Sequence, residues 1–149
     1  MTTTKMGRRN GAVRNRRIVG ILIPVTGNAK AVDIEQDKER DCYDFLKANI
    51  AGCCSNVPLL IDGKCVANMY IDESGLLKKL PPNTAATKLN SEAVQRFNCG
   101  IPFVGPALVL GKTNASGTSK PMAEKLVARI LALAGADYGQ DAGQGAAQK

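Results

Sequence analysis

The sequence contains no histidine and no tryptophan, and only three phenylalanines and three tyrosines occur among its 149 residues. Without histidine, Ser-His and Cys-His catalytic pairs and histidine metal ligands are excluded. With so few aromatic residues, a folded core has to be built from aliphatic side chains, which the 44% content of hydrophobic residues can supply. A chain of this length and composition is expected to form one packed domain with short additional segments.

Long hydrophobic runs and a regular cysteine pattern are also missing. The longest nearly apolar run, Ile18–Val25, is far too short to cross a bilayer, and the first nine residues lack the apolar stretch of a secretory signal. The odd number of cysteines, without repeated spacing, does not suggest a disulfide framework. We therefore expect an intracellular, reducing location or a virion, and reduced cysteines buried as small hydrophobic residues. The cysteines are Cys42, Cys53, Cys54, Cys65 and Cys99.

The formal net charge of +7 is distributed unevenly. Residues 1–17 contain six basic residues and no acidic residue, whereas residues 18–111 are nearly neutral. Such a segment cannot bury enough apolar surface to fold alone, so we predict a flexible basic arm. An arm of this kind suits nucleic-acid phosphates or an acidic protein surface, although a solubilising leader would look the same. Its basic residues are Lys5, Arg8, Arg9, Arg14, Arg16 and Arg17.

The first part of the main domain predicts a hairpin followed by a helix. The β-branched run Ile18–Val25 indicates a central strand, and the turn residues Thr26–Asn28 lead into a second strand, Ala29–Ile34. A helix follows, with Asp37 as its N-cap and with Gly52 ending it in the left-handed conformation.

Three further extended segments are predicted after this helix. Strands Val57–Ile61 and Lys64–Asp72 are joined by an Asp-Gly turn, and Leu76–Leu80 is a short extended segment stopped by proline. Phe103–Gly111 is the last strand, and Pro106 should place it at a sheet edge or a bulge because proline cannot donate to a ladder. This order predicts an α+β fold with a small, mostly antiparallel sheet and one packed helix.

The C-terminal part is predicted to lie outside the main domain of residues 18–111. Residues 112–119 have the composition of a linker, residues 120–135 form a strong helix, and residues 136–149 read as a flexible tail. One face of the helix either packs on the exposed side of the sheet or docks on a partner. That face carries Met122, Leu126, Ile130 and Leu133.

Three short patterns in residues 18–111 invite comparison with a known family. The first is a strand and hairpin leading to a helix ended by Gly52. The second is a strand-turn stretch made of two runs, Asp72-Glu73-Ser74-Gly75-Leu76 and Leu80-Pro81-Pro82-Asn83. The third is a closing strand bounded by glycines, Gly105–Gly111. In these patterns the chain resembles the domain of unknown function 3846 family, found in bacteria, bacteriophages and large DNA viruses. Asp72 stands where that family usually has asparagine. The resemblance implies a fold unit and a viral or mobile-element setting, but no reaction.

Reactive or paired side chains are few, and each has a structural interpretation. Cys53 and Cys54 are predicted at a helix C-terminus, where the helix dipole opposes thiolate formation. The sequence contains no Cys-x2-Cys pair of the kind that binds zinc. Asp72 and Glu73 should point to opposite sides of a strand, which favours turn capping over shared proton chemistry. Asn83 is expected to fix its loop through main-chain hydrogen bonds. We predict no catalytic residue, metal, cofactor or small-molecule substrate.

These observations favour a non-enzymatic binding or assembly module, for example a minor capsid-associated component of a virus, whose arm contacts an anionic partner. The partners would be other protein subunits or nucleic-acid phosphates. The alternative is a sequence-independent nucleic-acid-binding accessory protein of a phage or virus, because the arm lacks aromatics that would stack on bases. An enzyme using Asp, Lys or Cys would require a deep pocket that strongly shifts the pKa of one of these groups.

Overall fold

Five strands pair antiparallel in one sheet in the computed structural model, which describes residues 16–135 of the chain. The order across the sheet is β2-β1-β5-β4-β3, so β2 and β3 lie at its two edges. With helices on both faces, this arrangement confirms the predicted α+β class and its antiparallel sheet. The strands are β1 (Arg16–Ile23), β2 (Lys30–Gln36), β3 (Cys54–Ile61), β4 (Lys64–Asp72) and β5 (Ala107–Leu110).

The first hairpin forms as predicted, because a β-branched run meets an alternating strand across a short turn. β1 pairs with β2 from Arg16 opposite Gln36 to Leu22 opposite Lys30. Gly20 permits close packing here, since a Cβ on it would lie 2.7 Å from Cδ1 of Ile34.

Strand β5 lies in the middle of the sheet, so the predicted edge position was wrong. It pairs with β1 on one side and with β4 on the other, and all four of its residues are buried. Pro106 immediately precedes the strand, and its missing N–H therefore removes no hydrogen bond from the ladder. The β3–β4 hairpin turns at Asp62 and Gly63 as predicted, and β4 has the predicted bounds, whereas β3 begins at Cys54, three residues earlier than expected.

The helices of residues 16–135 are α1 (Tyr43–Asn49), α2 (Thr84–Leu89), α3 (Ser91–Phe97) and α4 (Glu124–Leu133). None of them is long and apolar enough to cross a membrane. Helix α1 covers one face of the sheet and the other three cover the opposite face, so there are more packed helices than predicted. On the α1 face the core includes Ile18, Ile34 and Leu108, and on the other face it includes Phe103, the one fully buried aromatic residue of the described chain.

Two predicted features next to α1 were wrong. Asp37 does not cap the helix, which begins after Cys42; instead the Asp37 carboxylate accepts hydrogen bonds from the main-chain N–H groups of Glu39 and Arg40. Local turn formation by an aspartate therefore competes successfully with helix capping. Gly52 does not have a left-handed conformation, because the helix already ends at its C-cap, Ile50.

The segment after β4 also differs from its prediction. Residues 73–79 form successive turns rather than an extended strand, closed by hydrogen bonds such as Leu80 N–H to the carbonyl of Gly75. The sequence did not predict helix α2. Its N-terminus is capped by the side chain of Asn83, which accepts a hydrogen bond from the N–H of Ala86.

The C-terminal segments join the same core. Residues 112–119 close as a loop, with Thr113 bridged to Ser119. Ile130, Leu131 and Ala134 of the following segment are buried in the cluster that also contains the sheet residues.

Candidate functional site

A partly buried polar network connects three distant segments of the chain on the α1 face of the sheet. We use the name polar network for Arg16, Gln36, Asp41, Tyr70 and Ser119. Gln36 is 3% exposed and Ser119 is fully buried, so their polar groups need partners within the protein. Arg16, the first residue of β1, joins the network to the start of the described chain.

A tight turn after β2 positions Asp41. Asp37 and Asp41 exchange two main-chain hydrogen bonds of 2.8 Å, and Asp41 has a φ of 53°, a left-handed conformation that aspartate tolerates better than most residues. The turn is stiffened by the main-chain N–H groups of Glu39 and Arg40, whose hydrogen bonds to the Asp37 carboxylate lower the pKa of that carboxyl.

The Asp41 carboxylate accepts hydrogen bonds from both neighbours in the network. Its Oδ1 accepts from Nε2 of Gln36 at 2.6 Å and from the main-chain N–H of Ser119 at 3.1 Å. Its Oδ2 accepts from the hydroxyl of Ser119 at 2.8 Å. One carboxylate thereby joins the turn after β2 to the loop before α4.

Gln36 extends this connection to the first strand. Its Nε2 also donates to the carbonyl of Ser119 at 2.7 Å, and its Oε1 accepts from Nε of Arg16 at 2.6 Å. Since the amide of Gln36 is held by two other groups, the Arg16 guanidinium is oriented by a fixed partner. The polar network therefore holds Arg16, the residue at which the basic segment continues into β1.

The far end of the network contains Tyr70 and borders Cys42. Tyr70 lies beside Ser119, Asp41 and Cys42. Burial raises the pKa of its hydroxyl, Asp41 and Cys42 add to this effect, and Ser119 and Asn68 oppose it. Burial, reinforced by Asp41, raises the pKa of Cys42 to about 12. Both groups therefore stay protonated near neutral pH. Because the Ser119 hydroxyl is buried and donates to Asp41, the arrangement holds segments together and presents no nucleophile to solvent.

Of the predicted arm residues, four lie outside the described residues: Lys5, Arg8, Arg9 and Arg14. Arg16 and Arg17 are exposed, but they are the first two residues of β1 and not part of an arm, which corrects that boundary. Adjacent strand residues point to opposite faces, so Arg16 lies on the α1 face and Arg17 on the other. Sequence reasoning missed Gln36, Asp41 and Ser119, because residues separated by 83 and 78 positions form no local pattern.

The predicted partner face of the C-terminal helix is mostly turned toward the domain's own core. Ile130 is fully buried there, and Met122 and Leu126 pack partly buried against the same cluster. Leu133 is 43% exposed. Three of the four residues on this face therefore pack against the sheet side of the domain, which was the first of the two alternatives.

The cysteines differ from expectation. All five are free, and only Cys42 is buried; Cys53, Cys65 and Cys99 are exposed and Cys54 is half-buried. Cys54 is the first residue of β3, and burial raises the pKa of its thiol. The hydrogen bond to the Ala51 carbonyl lowers this pKa, while nearby acidic residues raise it further. No group of three or more histidine, cysteine, aspartate or glutamate residues suited to a metal ion occurs among residues 16–135.

The predicted structural roles of Asp72 and Asn83 are confirmed. Asp72 accepts from the N–H of Ser74 at 2.9 Å and from Nζ of Lys78 at 2.7 Å. Burial alone would raise the pKa of Asp72, but these hydrogen bonds outweigh it and lower the pKa. Asn83 is fully buried, and its Nδ2 donates to the carbonyls of Ile23 and Gly105 at 2.9 Å each.

Comparison of the chain with protein-family models, with curated proteins and with solved structures finds no match. The resemblance to the domain of unknown function 3846 family stays a prediction.

Proposed function

We propose that this protein is a non-enzymatic binding or assembly module whose arginine-rich N-terminal segment contacts an anionic partner. The observation that carries the proposal is the concentration of six basic residues and no acidic residue in residues 1–17. Basic residues so close together repel one another, and an anionic partner relieves this repulsion by supplying opposite charge.

The geometry at the start of β1 supports this proposal. Binding of a partner to the basic segment can affect the domain only if the segment's attachment point is held in place. Arg16, at that attachment point, is held by its hydrogen bond to Gln36 within the polar network. The attachment point continues directly into β1, which is hydrogen-bonded to strands on both sides. A partner bound to the segment would therefore be coupled to the sheet itself.

The test compares two triple variants of the full chain with equal net charge. Arg8→Gln/Arg9→Gln/Arg14→Gln neutralises the segment, and Lys64→Gln/Lys88→Gln/Lys125→Gln neutralises three exposed lysines elsewhere. Affinity for duplex DNA is measured by fluorescence anisotropy between 50 and ~300 mM salt, where each lost phosphate contact lowers the slope of log K against log salt by about 0.9. We expect the first variant to lose at least tenfold in affinity and about 3 in slope, and the second to lose much less.

The two forms of the proposal separate in the same experiment. Binding to duplex DNA that is indifferent to base sequence and falls steeply with salt assigns the nucleic-acid accessory role. Absence of DNA binding, together with self-association that the arginine variant abolishes in analytical ultracentrifugation, assigns the assembly role. Equal behaviour of the two variants in both measurements contradicts the proposal.

A further inference from the structure

A groove of about 340 Å³ runs between strand β2 and helix α1. β2 is the outermost strand on its side of the sheet described by residues 16–135, so one side of its main chain faces away from β1. The groove has three acidic lining residues and no basic one. Its lining residues are Glu35, Asp37, Asp44, Phe45, Ala48 and Asn49.

The two walls of the groove offer different kinds of contact. The edge strand can hydrogen-bond an extended segment through its main chain, and the helix contributes the apolar surfaces of Phe45 and Ala48. Asp44 forms an ion pair with Arg40 at 2.8 Å, but both side chains are more than half exposed. An exposed pair of this kind contributes little to stability, so its carboxylate can exchange one guanidinium for another at small cost.

We propose that residues 1–15 of the same chain, which lie outside the described residues, bind in this groove. They carry four basic residues and no acidic one, which complements the lining. They are also attached beside it: residue 15 precedes Arg16, whose register partner Gln36 lies between the groove residues Glu35 and Asp37. Fifteen extended residues span up to ~50 Å, and a tether of this length gives a local concentration on the order of millimolar.

A second copy of the chain is a poorer occupant. In the register that places Ile34 on a two-fold axis, two β2 strands paired edge to edge would bring Asp33 of one copy opposite Glu35 of the other. Like charges directly opposite each other destabilise such a pair.

This inference rests in part on the proposed function, because it gives the basic segment a second, intramolecular partner that competes with the external anion. The groove would then hold the segment until a more strongly charged surface displaces it. At low salt, the apparent affinity for a polyanion would be reduced by the fraction of molecules in which the segment is docked.

The first test follows the groove directly by NMR of the full chain. We expect the amide resonances of Ala48 and Asn49 to shift in Arg8→Gln/Arg9→Gln, and not in the charge-matched control Lys88→Gln/Lys125→Gln. Raising the salt from 50 mM to 1 M should move the wild-type resonances in the same direction, because exposed charge pairs are screened. Unchanged resonances in the arginine variant would overturn the inference. Shifts that grow with protein concentration, together with a dimer in ultracentrifugation, would also overturn it, since the occupant would be the segment of a second copy.

The second test measures competition. Glu35→Gln/Asp44→Asn removes two groove charges, and Asp62→Asn/Glu92→Gln removes two exposed carboxylates outside the groove. We expect the groove variant to bind duplex DNA about threefold or more tightly than this control at 50 mM salt. Equal affinities of the two variants would overturn competition. If no form of the protein binds DNA, the proposed nucleic-acid contact fails, while the NMR result still decides whether the groove is occupied.

Discussion

The carboxylate of Asp41 accepts hydrogen bonds from both the main-chain N–H and the hydroxyl of Ser119, at 3.1 and 2.8 Å. The two residues are 78 positions apart, yet this contact closes the loop before α4 onto the turn after β2. Gln36 reinforces the contact by donating to both residues. The start of β1 and the loop that leads into α4 are therefore stabilised by the same side chains.

Replacing Ser119 by alanine should lower the free energy of unfolding by about 1.5–3 kcal/mol, the usual range for a hydrogen bond to a charged group. The loss arises because the half-buried Asp41 carboxylate loses the hydroxyl that donates to it. Urea unfolding followed by circular dichroism measures it. Ser116→Ala, in the exposed part of the same loop, serves as the control and should change stability by no more than about 0.5 kcal/mol. Equal effects of the two substitutions would show that the network does not hold the loop.

Gly111→Ala and Gly52→Ala form a matched pair of glycine substitutions. A Cβ on Gly111 would clash with the carbonyl oxygen of Lys120, which belongs to the main chain and cannot move independently. We expect a loss of at least about 2 kcal/mol from this overpacking. A Cβ on Gly52 meets nothing within 4 Å, and this glycine has no positive φ. Its substitution should be neutral or slightly stabilising, as thermal unfolding can show. A strongly destabilised Gly52→Ala would instead support the left-handed helix end that the sequence predicts.

Lys78→Gln should reduce stability only where Asp72 is ionised. Because the pKa of Asp72 is lower in the folded protein than in the unfolded chain, its contribution is present above the ordinary aspartate pKa and is lost as the pH falls through the lowered value. Urea midpoints measured from pH 6 down to pH ~2.5 should therefore show a wild-type advantage over Lys78→Gln that shrinks toward acid. Lys79→Gln, the neighbouring lysine without this contact, should follow the wild type throughout. A difference that does not change with pH would contradict this account of the Asp72–Lys78 pair.

The elements predicted correctly are those whose signal is local. β4 alternates between core and opposite-face residues and follows an Asp-Gly turn, so its bounds could be read from the sequence. β5 could not be placed, because the position of a strand within a sheet depends on which distant strands flank it. Its central place between β1 and β4 also makes Pro106 harmless, which no local rule could indicate. Asp37 was assigned to the wrong structure because an aspartate serves equally well as a helix cap and as the start of a tight turn.

By itself, the amino-acid sequence determined the α+β class, the two hairpins, the mostly aliphatic core and the concentration of basic residues at the N-terminus. These properties depend on hydrophobic periodicity, turn residues and charge, all of which act over a few neighbouring positions. Only the tertiary structure decided the strand order, the polar network and the acidic groove between β2 and α1. Each of these brings together residues from separate segments, and the free energy that favours such contacts comes from burial and hydrogen bonding in the assembled fold.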